Sequence, residues 1–421
     1  MINVSLLDLV VGVSGALDYV SQTVTGHHRR VAVSCIPMAR EIGIDSCSST
    51  DLLIAALLHD IGAFSLDLDL NALDFDADLT EHSVAGYRLL KGHPALLRAA
   101  QIIRNHHTPW HELQTRHEEA DSEMLLLSNI VNLMDRVDIL SKVGARAFTR
   151  DKIRDIIGNY SPLFYNEQAI EAFMDVSASP AFWESVRDET IQMREMADGL
   201  FNDRHIPEEQ LIDFSRLFSY VIDFRSRHTA THSQGVAETA TQLAKLAGMD
   251  EAETLRMRLA GNLHDIGKIA LPLSLLDKPG KLKPIEFNHV QHHVQVGEQI
   301  LKSISGLGEI SDWACQHHER LNGKGYPYGL KEEALSLGSR IMAVADVYTA
   351  ITEDRPYREG MTPEEARSVM TSLSKSGSLD SDIVGLLLDN FDELNAVRTI
   401  AQAKALRDFK MFRNASQDIL T

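Results

Sequence analysis

Ala260-Gly-Asn-Leu-His-Asp-Ile-Gly-Lys268 closes an apolar helical stretch on a His-Asp pair, and Ala55-Ala-Leu-Leu-His-Asp-Ile-Gly-Ala63 does the same earlier in the chain. Around these two runs the spacing of histidines and aspartates repeats. From His27 to His59 is 32 residues, as from His232 to His264; from His82 to His106 is 24, as from His293 to His317. From His106 to Asp135 is 29, as from His317 to Asp346. Only the middle interval differs: 23 from His59 to His82, against 29 from His264 to His293. Ten of the 18 histidines fall into this double pattern, which scattered surface histidines would not do. The pattern predicts a fold duplicated around a metal site.

The chain has 421 residues, enough for two or three domains with separate cores. A formal charge of −19 argues against a nucleic-acid polymer as partner, since no broad basic surface is available. An anionic small substrate would then need local positive charge from metals, Lys or Arg. Cys35, Cys47 and Cys315 form no paired spacing, which fits a reducing cytoplasm. The apolar runs 6–13 and 52–58 are too short to span a membrane, and the N-terminus lacks the basic region and cleavage site of a signal peptide. No membrane association is expected, and a homodimer is compatible with the composition.

Helical periodicity runs through most of the sequence. Val236, Ala240, Leu243, Ala244 and Ala247 recur at steps of three and four before Gly248; Val31, Cys35, Met38, Ala39 and Ile42 do so before Gly43. Leu255, Leu259, Leu263 and Ile266 stop at Gly267, and Leu53, Ala56, Leu57 and Ile61 at Gly62. Alternating β-branched runs are nearly absent, so the expected fold class is all-α: two tandem helical bundles joined by a helical linker. The predicted boundaries are 1–180 for the first unit, 181–206 for the linker and 207–421 for the second. Residues 163–170 and 378–384 each read as a turn entering a helix, and Pro207 suits the first turn of a new one.

A bare His-Asp dipeptide is weak evidence for a metal; the set carries the case. In the second unit Asp265 is the natural bridge between two ions. His232, His264 and Asp346 would complete one shell, and His293, His317 and His318 the other. Nitrogen and oxygen donors without thiolate favour two divalent ions, iron or manganese first. Lys268 follows Asp265 by three residues and can reach the same helix end. Lys278, Lys281 and Lys283 occupy a nearby loop, and Arg355 and Arg358 follow Asp346. Basic groups flanking a di-metal centre suggest phosphodiester hydrolysis, with Asp265 and Lys268 as catalytic candidates. The bland reading of the loop lysines is a solvated surface.

His264-Asp-Ile-Gly-Lys268, His317-His-Glu-Arg-Leu-Asn-Gly-Lys-Gly-Tyr-Pro327 and Ala345-Asp-Val-Tyr-Thr-Ala-Ile-Thr-Glu-Asp-Arg-Pro-Tyr-Arg358 together resemble the HD-GYP family. The resemblance covers roughly residues 210 to 390. It implies an all-helical HD-domain phosphohydrolase: a bacterial phosphodiesterase opening cyclic di-GMP to pGpG and on to GMP, or preferring a mixed cyclic dinucleotide such as cyclic GMP-AMP. It also implies substrate contacts from Lys268, Gly325, Tyr326, Pro327, Arg355 and Arg358. Some family members carry a glutamate four residues before the first histidine, where it ligates a third metal. Here that position is His228, a candidate for the third ion or an uninvolved histidine.

The first unit departs from this pattern. It keeps every ligand type (His27, His59, Asp60, His82, His106, His107 and Asp135), but Ala63 stands where Lys268 stands. His107-Thr-Pro-Trp110 replaces the Gly-Tyr-Pro loop, and five aspartates between 67 and 78 would repel a phosphate. Two readings stay open: a relic whose histidines satisfy helix ends, or a metal site without phosphodiesterase activity that serves regulation, dimerisation or sensing. For the whole chain the competing class is a non-catalytic HD-type metal or ligand sensor; Lys268 and Gly325-Tyr326-Pro327 favour the enzyme.

Overall fold

The duplicated sequence pattern lies on a duplicated set of helices. The computed structural model describes residues 4–19, 25–66, 80–115, 121–142, 148–159, 163–187, 204–223, 231–278, 280–354 and 359–417. His228, Arg355, Arg358, the aspartates of 67–78 and most of the expected linker (188–203) lie outside these residues. Among the described residues the structure is helical, apart from Val4–Ser5 paired antiparallel with His205–Ile206 and a single bridge between Asn322 and Lys331. No described helix is long and apolar enough to cross a membrane.

The chain forms two compact units. One runs from Val13 to Arg204; the other runs from His205 onward and includes the described residues up to Gly12. Helix periodicity cannot reveal that the first residues fold with the second unit, because the short strand pairing that ties them there joins positions 200 residues apart.

Each unit builds its centre from the same parts. His27–Ile42 and His232–Leu246 carry the first histidine in their first turn. The glycines that end these segments, Gly43 and Gly248, have φ of 80° and 85°, a backbone state that costs other residues a steric penalty. The next helices, Ser46–Leu58 and Glu251–Leu263, start at Asp45 and Asp250, whose carboxylates cap the first-turn N–H groups. They end at His59 and His264 with nearly identical backbone angles, φ −58°, ψ −34° and φ −57°, ψ −34°. Leu52 through Leu58 are all buried, Ile54 and each leucine contributing about 1.5–3 kcal/mol of apolar burial, so this helix end is held firmly.

The third histidines lie on Thr80–Leu90 and Pro284–Lys302, the paired histidines follow Leu97–Asn105 and Gly308–Cys315, and the last aspartates lie within Ser122–Lys142 and Leu337–Thr352. The turns at 163–170 and 378–384 enter helices capped by Asn166 and Asp380.

Gly62 and Gly267 are not the stops that periodicity suggested. The helices end one turn earlier, at Leu58 and Leu263, and each glycine lies inside the following helical segment. Close approach explains them. A Cβ on Gly267 would stand 1.8 Å from the His293 carbonyl oxygen and 2.5 Å from the Gly297 nitrogen. A Cβ on Gly62 would stand 2.0 Å from the His82 carbonyl oxygen and 2.4 Å from the Gly86 nitrogen. In both units the backbone beyond His-Asp presses directly onto the helix bearing the third histidine.

Candidate metal centres

In the second unit these helices bring His232, His264, Asp265, His293, His317, His318 and Asp346 together. The two oxygens of Asp265 face different neighbours. Oδ2 lies 3.2 Å from His264 Nε2 and 3.9 Å from His232 Nε2; Oδ1 lies 3.4 Å from His293 Nε2. Asp346 Oδ1 approaches His232 Nε2 at 3.3 Å and His264 Nε2 at 4.0 Å, and its Oδ2 lies 3.6 Å from His318 Nδ1. Donor atoms of His232, His264 and Asp346 fall within 4.8 Å of one another, as do those of His293, His317 and His318. Donors about 2.1 Å from a shared ion would stand about 3 Å apart when adjacent and about 4 Å apart when opposite, the range of the separations around Asp265 and Asp346.

The imidazoles are oriented for this. His264 Nδ1 donates to Gly261 O at 2.8 Å, and His293 and His317 donate to Val290 O and Ala314 O at 2.5 Å each. Each carbonyl belongs to the residue three positions back and can only accept, so the proton sits on Nδ1 and Nε2 presents a lone pair inward. Burial holds His293 down to about 4 and His317 to about 3, keeping both neutral at physiological pH. Burial opposes ionisation of Asp265, but neighbouring positive charge, with the Lys268 ammonium 2.5 Å away, holds this carboxyl well below the usual range. The inward atoms His264 Nε2, His293 Nε2, His317 Nε2 and Asp265 Oδ1 are buried and accept no hydrogen bond. Leaving each such atom unsatisfied costs about 1–3 kcal/mol, a cost that a bound cation removes. The residues present therefore fit a metal.

Sequence reasoning missed two supporting carboxylates. Glu353 accepts from His232 Nδ1 at 3.0 Å, Thr231 Oγ1 at 3.0 Å and Gln402 Nε2 at 2.6 Å, fixing the ring that faces Asp346. Glu319, directly after His318, accepts the N–H groups of Tyr328 at 2.8 Å and Leu330 at 2.9 Å. It folds the 322–330 loop back onto its own start. Gly325 makes this possible: a Cβ there would stand 2.4 Å from Arg320 N and from Glu319 Cα. The result sets the Tyr326 ring 4.5 Å from that of His318, with Pro327 next to it. Burial, with Asp346 and Asp265 nearby, raises the Tyr326 hydroxyl's pKa, so it stays a protonated donor. Glu319 is followed by no periodic signal, but a buried acid between a His pair and a glycine-rich turn is a sign worth reading.

Of the basic residues, Lys268 Nζ lies 2.5 Å from Asp265 Oδ2. Lys278 is engaged by Glu286, while Lys281 and Lys283 are exposed, as are His289 and His292.

The first unit reproduces the core of this geometry. Asp60 Oδ2 lies 3.3 Å from His59 Nε2 and 3.9 Å from His27 Nε2, while Oδ1 lies 3.2 Å from His82 Nε2. Asp135 Oδ1 is 3.2 Å from His27 Nε2, and His107 Nε2 is 3.1 Å from His82 Nε2. His59 and His106 donate to carbonyls three residues back, Ala56 O at 2.8 Å and Ile103 O at 2.7 Å. The carboxylate behind the first histidine has moved one turn. Asp138, three residues after Asp135, accepts from His27 Nδ1 at 2.7 Å and is itself held by buried Arg30 at 2.6 Å. Gly235, the counterpart of Arg30, leaves room for Gln402 instead.

Two family models, each described as HD domain, match the chain, one over residues 24–140 and the other over residues 216–383. The 3'3'-cGAMP-specific phosphodiesterase 1 of Vibrio cholerae is 32% identical over 402 residues, which cover 92% of this chain and 92% of that one. The chain belongs to the HD-GYP family. Other HD-GYP relatives match it in part. A cyclic di-GMP phosphodiesterase of Pseudomonas aeruginosa is 44% identical over 142 residues, 33% of this chain and 34% of its own. A solved Vibrio cholerae structure, titled as a cyclic GMP-AMP specific phosphodiesterase, superposes with a TM-score of 0.64 at 20% identity. It covers 93% of this chain and 98% of that one, so the tandem HD fold is shared along the length.

Proposed function

We propose that the second unit is a metal-dependent phosphodiesterase that opens a cyclic dinucleotide to its linear form. The observation carrying this reading is Asp265: each oxygen faces a separate donor set, and the pair lies beside Lys268 and the Gly325-Tyr326-Pro327 loop. Two divalent ions held there, iron or manganese, would supply a hydrolytic nucleophile and neutralise the phosphoryl oxygens. His232, His264 and Asp346 would hold one, His293, His317 and His318 the other, with Asp265 shared.

The chain's own groups do the rest. Neutral imidazoles stay available as ligands because burial suppresses their protonation. Lys268 brings positive charge to the edge of the centre, where it can bind phosphate. Tyr326 offers a protonated hydroxyl at the mouth, and Glu319 holds that loop in one shape. Arg355 and Arg358 are proposed as further phosphate contacts on the sequence pattern alone.

Cyclic di-GMP, opened to pGpG, is one substrate; cyclic GMP-AMP is the second, favoured by the relative that matches along nearly the whole chain. Turnover of both by iron- and manganese-loaded protein tests the reading. His264→Ala and Asp265→Ala are expected to abolish turnover in a protein that keeps its helical circular dichroism. Full activity in either variant, or a metal-loaded protein that leaves both dinucleotides intact, refutes it.

A further inference from the structure

The first unit carries one buried histidine for which the second has no equivalent. His28 follows His27 and is fully buried; the matching residue after His232 is Ser233. Behind them the acids correspond as well. Asp18 stands ten residues before His28 and Asp223 ten before Ser233. In the second unit Ser233 Oγ donates to Asp223 Oδ1 at 3.0 Å. In the first, the longer side chain spans the gap. His28 Nδ1 faces Asp18 Oδ1 at 3.9 Å, and Nε2 lies 3.4 Å from Asp60 Oδ2.

That oxygen decides what the histidine does. Asp60 Oδ2 corresponds to Asp265 Oδ2, where Lys268 Nζ sits in the second unit. Ala63, in place of that lysine, is buried and brings no charge. A flexible ammonium that could turn toward a phosphate is thus replaced by a fixed imidazole. Its nitrogen is as close to the bridging carboxylate as His59 Nε2, at 3.4 Å against 3.3 Å. Donor atoms of His28, His59 and Asp60 fall within 4.8 Å of one another, beside the group formed by His27, His59 and Asp135. His106 Nε2, on the far side of Asp60, is buried with no hydrogen-bond partner.

We propose that the first unit holds divalent metal in a closed, non-hydrolytic centre in which His28, steered by Asp18, is an additional ligand. Protein donors fill positions that a catalytic centre leaves to water and substrate. Asp18 Oδ1, which accepts the Gly26 N–H at 2.9 Å, stands 3.9 Å behind His28 Nδ1 and would close to hydrogen-bond distance as the carboxylate behind a metal-bound imidazole. The proposal does not depend on the second unit's activity.

The test uses the full chain with His264→Ala, Asp265→Ala and His317→Ala, which break both donor sets of the second unit, so that retained metal belongs to the first unit. Metal content by mass spectrometry and affinity by chelator competition are measured for this protein and for versions adding His28→Ser or Asp18→Asn. Retained stoichiometric metal is expected, with affinity reduced about 10–100-fold by either added change. The manganese-loaded protein should show little water-proton relaxation, and His28→Ser should raise it by opening a water site. Asp18→Asn keeps the side chain's size, so it reports on steering even if His28→Ser folds poorly. Absence of metal in the parent protein, unchanged affinity in both added variants, or strong relaxation before His28 is altered would each overturn the proposal.

Discussion

Replacing Gly267 by alanine should disable the second centre without touching a ligand. The added Cβ would stand 1.8 Å from the His293 carbonyl oxygen, whereas an ordinary carbon–oxygen contact needs about 3.3 Å. The helix Pro284–Lys302 and the 266–270 segment must therefore part by about 1.5 Å, because the carbonyl is backbone and a Cβ is fixed to its own backbone, so no side-chain rotation relieves the clash. His293 moves with its helix, away from Asp265 Oδ1. A displacement of 1 Å at a reacting centre costs about 100-fold, so turnover should fall at least that far. The added overpacking should lower stability by about 1–3 kcal/mol. Gly62→Ala is the internal control: its Cβ would stand 2.0 Å from His82 O, so it should cost similar stability yet spare turnover. Both variants are assayed for cyclic dinucleotide hydrolysis, metal content and thermal unfolding. Wild-type turnover in Gly267→Ala would refute the idea that this approach positions His293. Equal loss of turnover in Gly62→Ala would refute the assignment of chemistry to the second unit.

Glu353→Gln removes the carboxylate behind His232 but keeps the shape, and should weaken metal binding or turnover about 10–100-fold; unchanged values would show that the His232 ring does not depend on that carboxylate. Ala63→Lys in the His264→Ala background should leave turnover absent, because His28 still occupies the approach to Asp60; restored hydrolysis would contradict that. Of the three thiols, Cys47 is exposed, while burial raises Cys35 and holds Cys315 up near 12. A thiol reagent should label one cysteine quickly in the native protein and all three only after unfolding; fast labelling of a second would contradict the packing around the helices that carry them.

The fold class and the clustering of histidines with aspartates were legible because both are written locally. Steps of three and four in the apolar residues define the helices, and equal intervals such as His27–His59 and His232–His264 expose the duplication. Gly267 was misread for the same reason. A glycine after an apolar run looks like a helix stop, whereas its role is set by Gly297 and His293, on a helix some thirty residues away. Glu353 and Asp138 went unnoticed because they serve equivalent histidines from positions one helical turn apart, so no shared spacing marks them. Asp18 and His28 keep the ten-residue offset of Asp223 and Ser233, but the change from hydroxyl to imidazole gains meaning only once Asp60 is seen in front of it.

The sequence by itself determined that this protein is two helical units, each with a histidine–aspartate set, of which only the second has Lys268 and the Gly325-Tyr326-Pro327 loop. Tertiary structure alone decided which oxygen of Asp265 or Asp60 meets which donors, and whether lysine or histidine stands against that oxygen. Intervals along a chain report helix phase and length. They carry no record of how closely two helices approach, and a metal centre is made of such approaches.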